Sequence, residues 1–181
     1  MKPLERIGRP ERAVVDERRT RGYATGRLAN VDQRLEPTLR ALVARLLPGV
    51  PDGIDLVAFV DRYTGVPLGR GDRRTGSPPE RELFAAGLAA LTDAGFSDRS
   101  EDDQRALISR MRRGDADAEL GMPAREFVDR VLDKALTGYL AHPDTWDRIG
   151  FTGPAYPEGY AWIGPAEAVA RRERKFGWDR L

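Results

Sequence analysis

No cysteine occurs in the 181 residues. Its absence removes disulfides, thiolate zinc sites, iron–sulfur clusters and a Cys-x-x-Cys-His haem attachment together. Histidine is nearly as scarce, with His142 alone. A Ser-His-Asp triad would rest wholly on that residue, and no Ser sits in a Gly-x-Ser-x-Gly turn. Metal sites built from imidazole and carboxylates lack ligands for the same reason. No Gly-x-Gly-x-x-Gly fingerprint for a dinucleotide is present. The 29 acidic residues supply candidates for carboxylate chemistry, but nothing marks one pair above the rest. The chain is therefore read as having no catalytic, cofactor-binding or metal-binding residues of its own.

Long apolar runs are missing as well, and none approaches the length of a transmembrane helix, so no direct membrane insertion is expected. The first residues lack the apolar central region of a secretion signal. Arg18-Arg19 is followed by Thr20, Arg21, Gly22 and Tyr23 rather than by a hydrophobic stretch. The expectation is a cytoplasmic protein, or one exported only together with a partner. A net charge of +1 provides no field that would steer the chain to nucleic acid. Lysine is rare: only Lys2, Lys134 and Lys175 among 30 basic residues. Either GC-rich coding or a surface suited to bidentate arginine contacts gives that bias.

What is present is helical periodicity. Residues 1–34 hold nine basic and five acidic residues and few apolar ones, which predicts an extended or partly mobile N-terminal arm. From residue 35 to 181 the chain reads as one domain. Pro37 suits a first helical position, and Leu39, Leu42, Val43 and Leu46 repeat at helical spacing until Pro48-Gly49. A second helix carries Leu56, Phe59, Val60 and Tyr63, with Asp52 or Asp55 as its cap. The GRGDRRTG stretch after it lacks the Gly-Lys-Ser/Thr ending of a phosphate loop and reads as a surface connection.

A third helix begins near Pro79-Glu80, buries Phe84, Leu88 and Leu91, and stops at Gly95. Gly87 lies on its inner face, where a missing side chain permits close helix approach. Ser100 followed by three acids opens a fourth helix, with Gln104, Leu107, Ile108 and Met111 inward and Gly114 at its end. Residues 115–121 read as a polar turn. Pro123 opens the longest helix, to about residue 141, with a wide apolar stripe of Phe127, Val128, Val131, Leu132, Ala135, Leu136 and Tyr139. Pro165 begins a last, arginine-rich helix. No segment alternates as a strand does. The fold expected is all-α: a small irregular helical bundle with a long aromatic, Gly/Pro-rich C-terminal loop and tail.

That loop, GYLAHPDTWDRIGFTGPAYPEGYAWIG, concentrates two of the three Trp, three of the five Tyr and the single His in residues 138–164. Pro and Gly exclude a regular helix there, and the aromatic content excludes a solvated linker. Its rings belong either to the chain's own core or to an interface. Tyr139, His142, Phe151, Tyr156, Tyr160 and Trp162 are the candidate partner-interface residues, with Trp162 and Tyr160 as anchors. Trp146 and Ile149 are expected to pack inward beneath the long helix. His142, at a helix end before Pro143, is suited to bonding terminal carbonyls or packing among the rings, or to an intersubunit contact.

An apolar helix running into Gly138-Tyr139-x-x-x-Pro143, then Trp146-x-x-Ile149-Gly150-Phe151-x-Gly153-Pro154-Ala155-Tyr156-Pro157-x-Gly159-Tyr160, resembles the C-terminal signature of the gluconate 2-dehydrogenase subunit 3 family. TLRALVARLLP (38–48) and FAAGLAALTDAGF (84–96) resemble that family in the same order. The resemblance implies a non-catalytic small subunit, with a large FAD-dependent glucose–methanol–choline-type oxidoreductase as its partner. FAD and the catalytic groups would then lie in that partner, acting on an alcohol carbon of a sugar or sugar acid. The chain departs from the family in having Asp144-Thr145 where many members carry Tyr-Gly-Gly-Asn, and in showing no export signal. A free-standing helical adaptor or chaperone, and a helical enzyme using carboxylates, are the rival readings.

Overall fold

The protein is described here by a computed structural model over residues 12–13, 15–17, 23, 26–64 and 78–151. Six α-helices and three short 3-10 turns make up the body between Gln33 and Thr145, and no strand occurs among the described residues. The GRGDRRTG stretch and the arginine-rich segment after Pro165 lie outside them.

Helix α1 (Glu36–Leu46) has Pro37 in its first turn, where the missing N–H costs no hydrogen bond. It buries Thr38, Leu39, Leu42 and Val43 along one face. Thr38 Oγ1 meets Thr92 Oγ1 at 2.7 Å, tying α1 to the end of α3 (Glu80–Asp93). Between them α2 (Leu56–Tyr63) starts at Asp55, whose carboxylate accepts from the N–H groups of Val57 and Ala58. Gly95 ends the α3 region with φ +66°, the left-handed backbone that favours glycine. Ser100 then caps α4 (Glu101–Arg113), accepting from Asp103 N–H, and acids in its first turn oppose arginines in its last, as the helix dipole favours. Residues 115–121, expected as a polar turn, contain one helical turn, α5 (Asp117–Leu120). The Asp117 carboxylate accepts from Ala124 N–H and so caps the next helix, which explains why the turn is ordered.

That next helix, α6 (Ala124–Ala141), is the element the others pack on. Phe127, Val128, Val131 and Ala135 are fully buried on it. Its approach to α3 depends on Gly87: a Cβ there would lie 2.4 Å from the Phe127 ring. Phe84 meets the same ring edge-on at 5.8 Å. Its approach to α2 depends on Gly138, where a Cβ would lie 2.7 Å from Phe59. The apolar stripe is narrower than the sequence suggested. Leu132 is half-buried and Leu136 is 40% exposed, because α1, α2, α3 and α4 all approach α6 over one broad side. On that side Lys134 is also buried, its Nζ 2.7 Å from the Glu80 carboxylate at the start of α3.

Residues 26–35, just before α1, are held to the bundle. Leu28, Val31 and Leu35 are buried. The buried Asp61 carboxylate accepts from the backbone N–H groups of Ala29 (2.7 Å), Asn30 (2.9 Å) and Val31 (2.7 Å). Asn30 Nδ2 donates in return to the Asp61 carbonyl at 2.8 Å. Tyr23 is buried too, stacked on Phe59 with its hydroxyl donating to Gly138 O. These residues form the last part of the stretch whose low apolar content predicted an extended or partly mobile arm. A few well-placed side chains and one carboxylate suffice to hold them.

Candidate partner interface

The site begins where α6 stops. Pro143 has no N–H to continue the helix, and His142 leaves it with φ −78° and ψ 126°. A 3-10 turn, Pro143–Thr145, follows immediately. Thr145 is completely buried and folds this turn back on the helix end. Its hydroxyl contacts the carbonyl oxygens of Tyr139 (2.5 Å) and His142 (2.7 Å), which also accept from the backbone N–H groups of His142 and Thr145.

His142 is buried and serves the turn as an acceptor. Its Nδ1 takes the Asp144 N–H at 3.2 Å, which places any ring proton of the neutral form on Nε2. Its ring meets Tyr23 edge-on at 4.5 Å. Ring packing was among the roles expected for it. The bonding, however, is to an N–H of the following turn rather than to the helix carbonyls, which Thr145 takes instead.

Trp146 packs inward, as expected. Ile149 does not, and is 41% exposed. Gly150, with φ +68°, turns the chain so that Phe151 covers the Trp146 ring edge-on at 5.0 Å, while Phe151 N–H bonds Trp146 O. Arg148 reaches across to Gly49 O at 2.8 Å, fastening the turn to the loop after α1.

Of the six residues proposed from sequence, Tyr139 is half-buried, His142 is buried and Phe151 is 42% exposed. Tyr156, Tyr160 and Trp162 lie outside the described residues. Sequence reasoning missed the exposed Leu140, the buried Lys134, and Tyr23 as a partner of His142. Tyr23 had no local signal, because its partners Phe59, Gly138 and His142 are all distant along the chain.

Burial, and secondarily the neighbouring Tyr63 phenol, push the Tyr23 hydroxyl well above its ordinary value. A folded chain that keeps this proton after the unfolded chain has begun to lose it is stable in full below the unfolded value. It loses that contribution as pH rises past about 10. Tyr23→Phe should therefore cost about 1 kcal/mol at neutral pH, for the bond to Gly138. It should also flatten the alkaline loss of stability. Urea unfolding at neutral pH and at about pH 10.5 measures both; an unchanged alkaline slope would remove Tyr23 from that role.

Among the described residues no group of His, Asp and Glu could hold a metal ion. No helix among them is long and apolar enough to cross a membrane. The family model for gluconate 2-dehydrogenase subunit 3 matches residues 34–153, from the 3-10 turn before α1 to just past Phe151. The chain belongs to the gluconate 2-dehydrogenase subunit 3 family. It is accordingly the small-subunit component of a dehydrogenase complex. No curated protein and no solved structure matches it. The matched span of this subunit 3 chain takes in α1 to α6 and the Thr145 turn, and stops ahead of Tyr156, Tyr160 and Trp162.

Proposed function

We propose that this chain is a non-catalytic, stabilising subunit of an FAD-dependent dehydrogenase that oxidises an alcohol group of a sugar or sugar acid. In this reading FAD and the catalytic base belong to a large subunit of the glucose–methanol–choline type. The observation that carries the reading is the family membership over residues 34–153. Two features support it. The one imidazole in the chain, the side chain best suited to general-base work at neutral pH, is buried and bonded into a turn. Downstream of that turn come Tyr156, Tyr160 and Trp162, residue types that concentrate at interface centres.

Co-expression with a large FAD-dependent oxidoreductase of the glucose–methanol–choline type from the same genome, followed by size exclusion, tests the proposal. The two should co-elute, and Trp162→Ala should weaken assembly by roughly 2–4 kcal/mol. Separate elution of two folded proteins would favour a free-standing adaptor. A flavin band, or sugar-dependent dye reduction, from this chain alone would overturn the non-catalytic reading.

A further inference from the structure

A cleft of about 470 Å³ lies between the end of α1 and the start of α2, within the size range of pockets that enclose a small ligand. Its lining is largely apolar: Ile54, Leu56 and Val57 are buried there, and Leu47 and Val50 are half-buried. Its two charged residues, Arg40 and Asp55, pair at 3.4 Å, and Arg40 also bonds Glu36. An occupant therefore needs apolar surface and no charge of its own. Gly49 belongs to the same cleft, and its carbonyl accepts from Arg148 Nη1 at 2.8 Å. The chain is thus fastened to the rim of the cleft three residues before Phe151, where the described residues end. After Phe151 come Thr152-Gly153-Pro154-Ala155-Tyr156-Pro157, an uncharged stretch with an aromatic ring close to two prolines. Five residues of extended chain span at most about 17 Å, enough to bring Tyr156 from Phe151 to a cleft whose rim Arg148 already touches. The chain's other segments outside the described residues match the cleft less well. Residues 65–77 start beyond Thr64, about 12 Å along α2 from Leu56, and carry Arg70, Asp72, Arg73 and Arg74. Residues 29–31 bond Asp61 in the last turn of α2, and the chain before them is strongly charged.

We propose that residues 152–157 of this same chain dock in the cleft, with the Tyr156 ring against Leu47, Val50 and Leu56. Tethering selects this occupant over a separate molecule. A segment anchored at the rim by Arg148 meets the cleft at an effective concentration on the order of millimolar, without the loss of translational freedom that a free partner incurs. Chemistry selects it as well, since the first charge after Arg148 is Glu158, just past the docking stretch. The docking belongs to the free chain and does not depend on the small-subunit reading. It assigns Tyr156 to the chain's own body and leaves Tyr160 and Trp162, further along, to meet a partner.

The absence of native cysteine makes thiol cross-linking a direct test. Ala44→Cys/Ala155→Cys is prepared in the full chain and treated with a short bis-maleimide. Ala44 lines the cleft and is exposed, so its substitution leaves the core untouched. The reference is Arg112→Cys/Ala155→Cys, because Arg112 is exposed at the end of α4 opposite Glu101, the residue that pairs with Arg45 of α1. Cross-linking within one molecule should be at least about tenfold faster for the cleft pair than for the reference pair. Adding Tyr156→Ala should remove most of that advantage, and Tyr156→Phe should keep it. Equal rates for the two pairs, or an advantage that Tyr156→Ala leaves intact, would overturn the docking. A cleft-pair product that is a cross-linked dimer would place the segment in a second copy's cleft and overturn it equally.

Discussion

Phe127→Ala should destabilise the protein by about 3–5 kcal/mol, the range for deleting a fully buried ring. Phe127 is wholly inaccessible, lies on the central helix, and meets Phe84 from α3. The effect should depend on Gly87 in a diagnostic way. A Cβ at Gly87 would fall 2.4–2.6 Å from the Phe127 ring atoms, closer than any real contact, so Gly87→Ala alone should cost about 1–3 kcal/mol by overpacking. With Phe127→Ala already in place, the new methyl group has nothing to strike and fills part of the cavity. The double variant should then be more stable than the sum of the singles implies, with a coupling of about 1 kcal/mol or more. Chemical denaturation of the four proteins measures the cycle. Strict additivity would mean that the ring moves aside freely and that the glycine does not set the helix spacing.

The second large effect concerns Asp61. Replacing it with Ala removes the acceptor of three backbone N–H groups at once. A buried donor left unpaired costs about 1–3 kcal/mol, and bonds to a charged acceptor are the stronger ones. The full sum will not appear, because residues 26–34 can lift away and pair with water instead. The loss is then limited by what their docking contributes, chiefly the burial of Leu28, Val31 and Leu35. About 2–4 kcal/mol is expected, accompanied by rapid amide exchange confined to residues 26–35. Asp61→Asn should recover only part of it, since one carboxylate oxygen becomes a donor facing another donor. Global unfolding of Asp61→Ala without a locally opened state would show that this segment is integral to the bundle rather than fastened to it.

Much of the fold was legible because helix ends and inner faces obey local rules. Pro37, Asp55, Ser100, Gly95 and Gly114 stand where they start or stop helices. Gly87, a small residue on an apolar face, marked a close approach. What escaped was set by distant parts of the chain. Asp61 looks like any polar residue near a helix end, and its partners lie about thirty residues upstream. Lys134 is a basic residue inside an apolar stripe, and only Glu80 of α3 explains its burial. The choice between Leu132 and Leu136 as the inner residue depended on which helices arrive at α6, which periodicity alone does not encode. At the candidate interface, aromatic density singled out residues 138–164. Trp146 inside and Phe151 outside were both legible there, whereas Ile149, expected inside, is exposed.

The bond from Tyr23 to Gly138 spans 115 residues, and that span dictates an order of events while the chain is being made. Tyr23 leaves the ribosome early, yet its acceptor, and the His142 ring beside it, are among the last parts of the body to be translated. At about 5–20 residues per second, the interval is roughly 6–23 s. Throughout it Tyr23 can meet Phe59, and Asp61 can hold residues 29–31, but the Gly138 acceptor and the His142 ring are still missing. A factor that binds the uncovered Tyr23 side chain on the nascent chain has that interval in which to act, before the end of α6 supplies its acceptor.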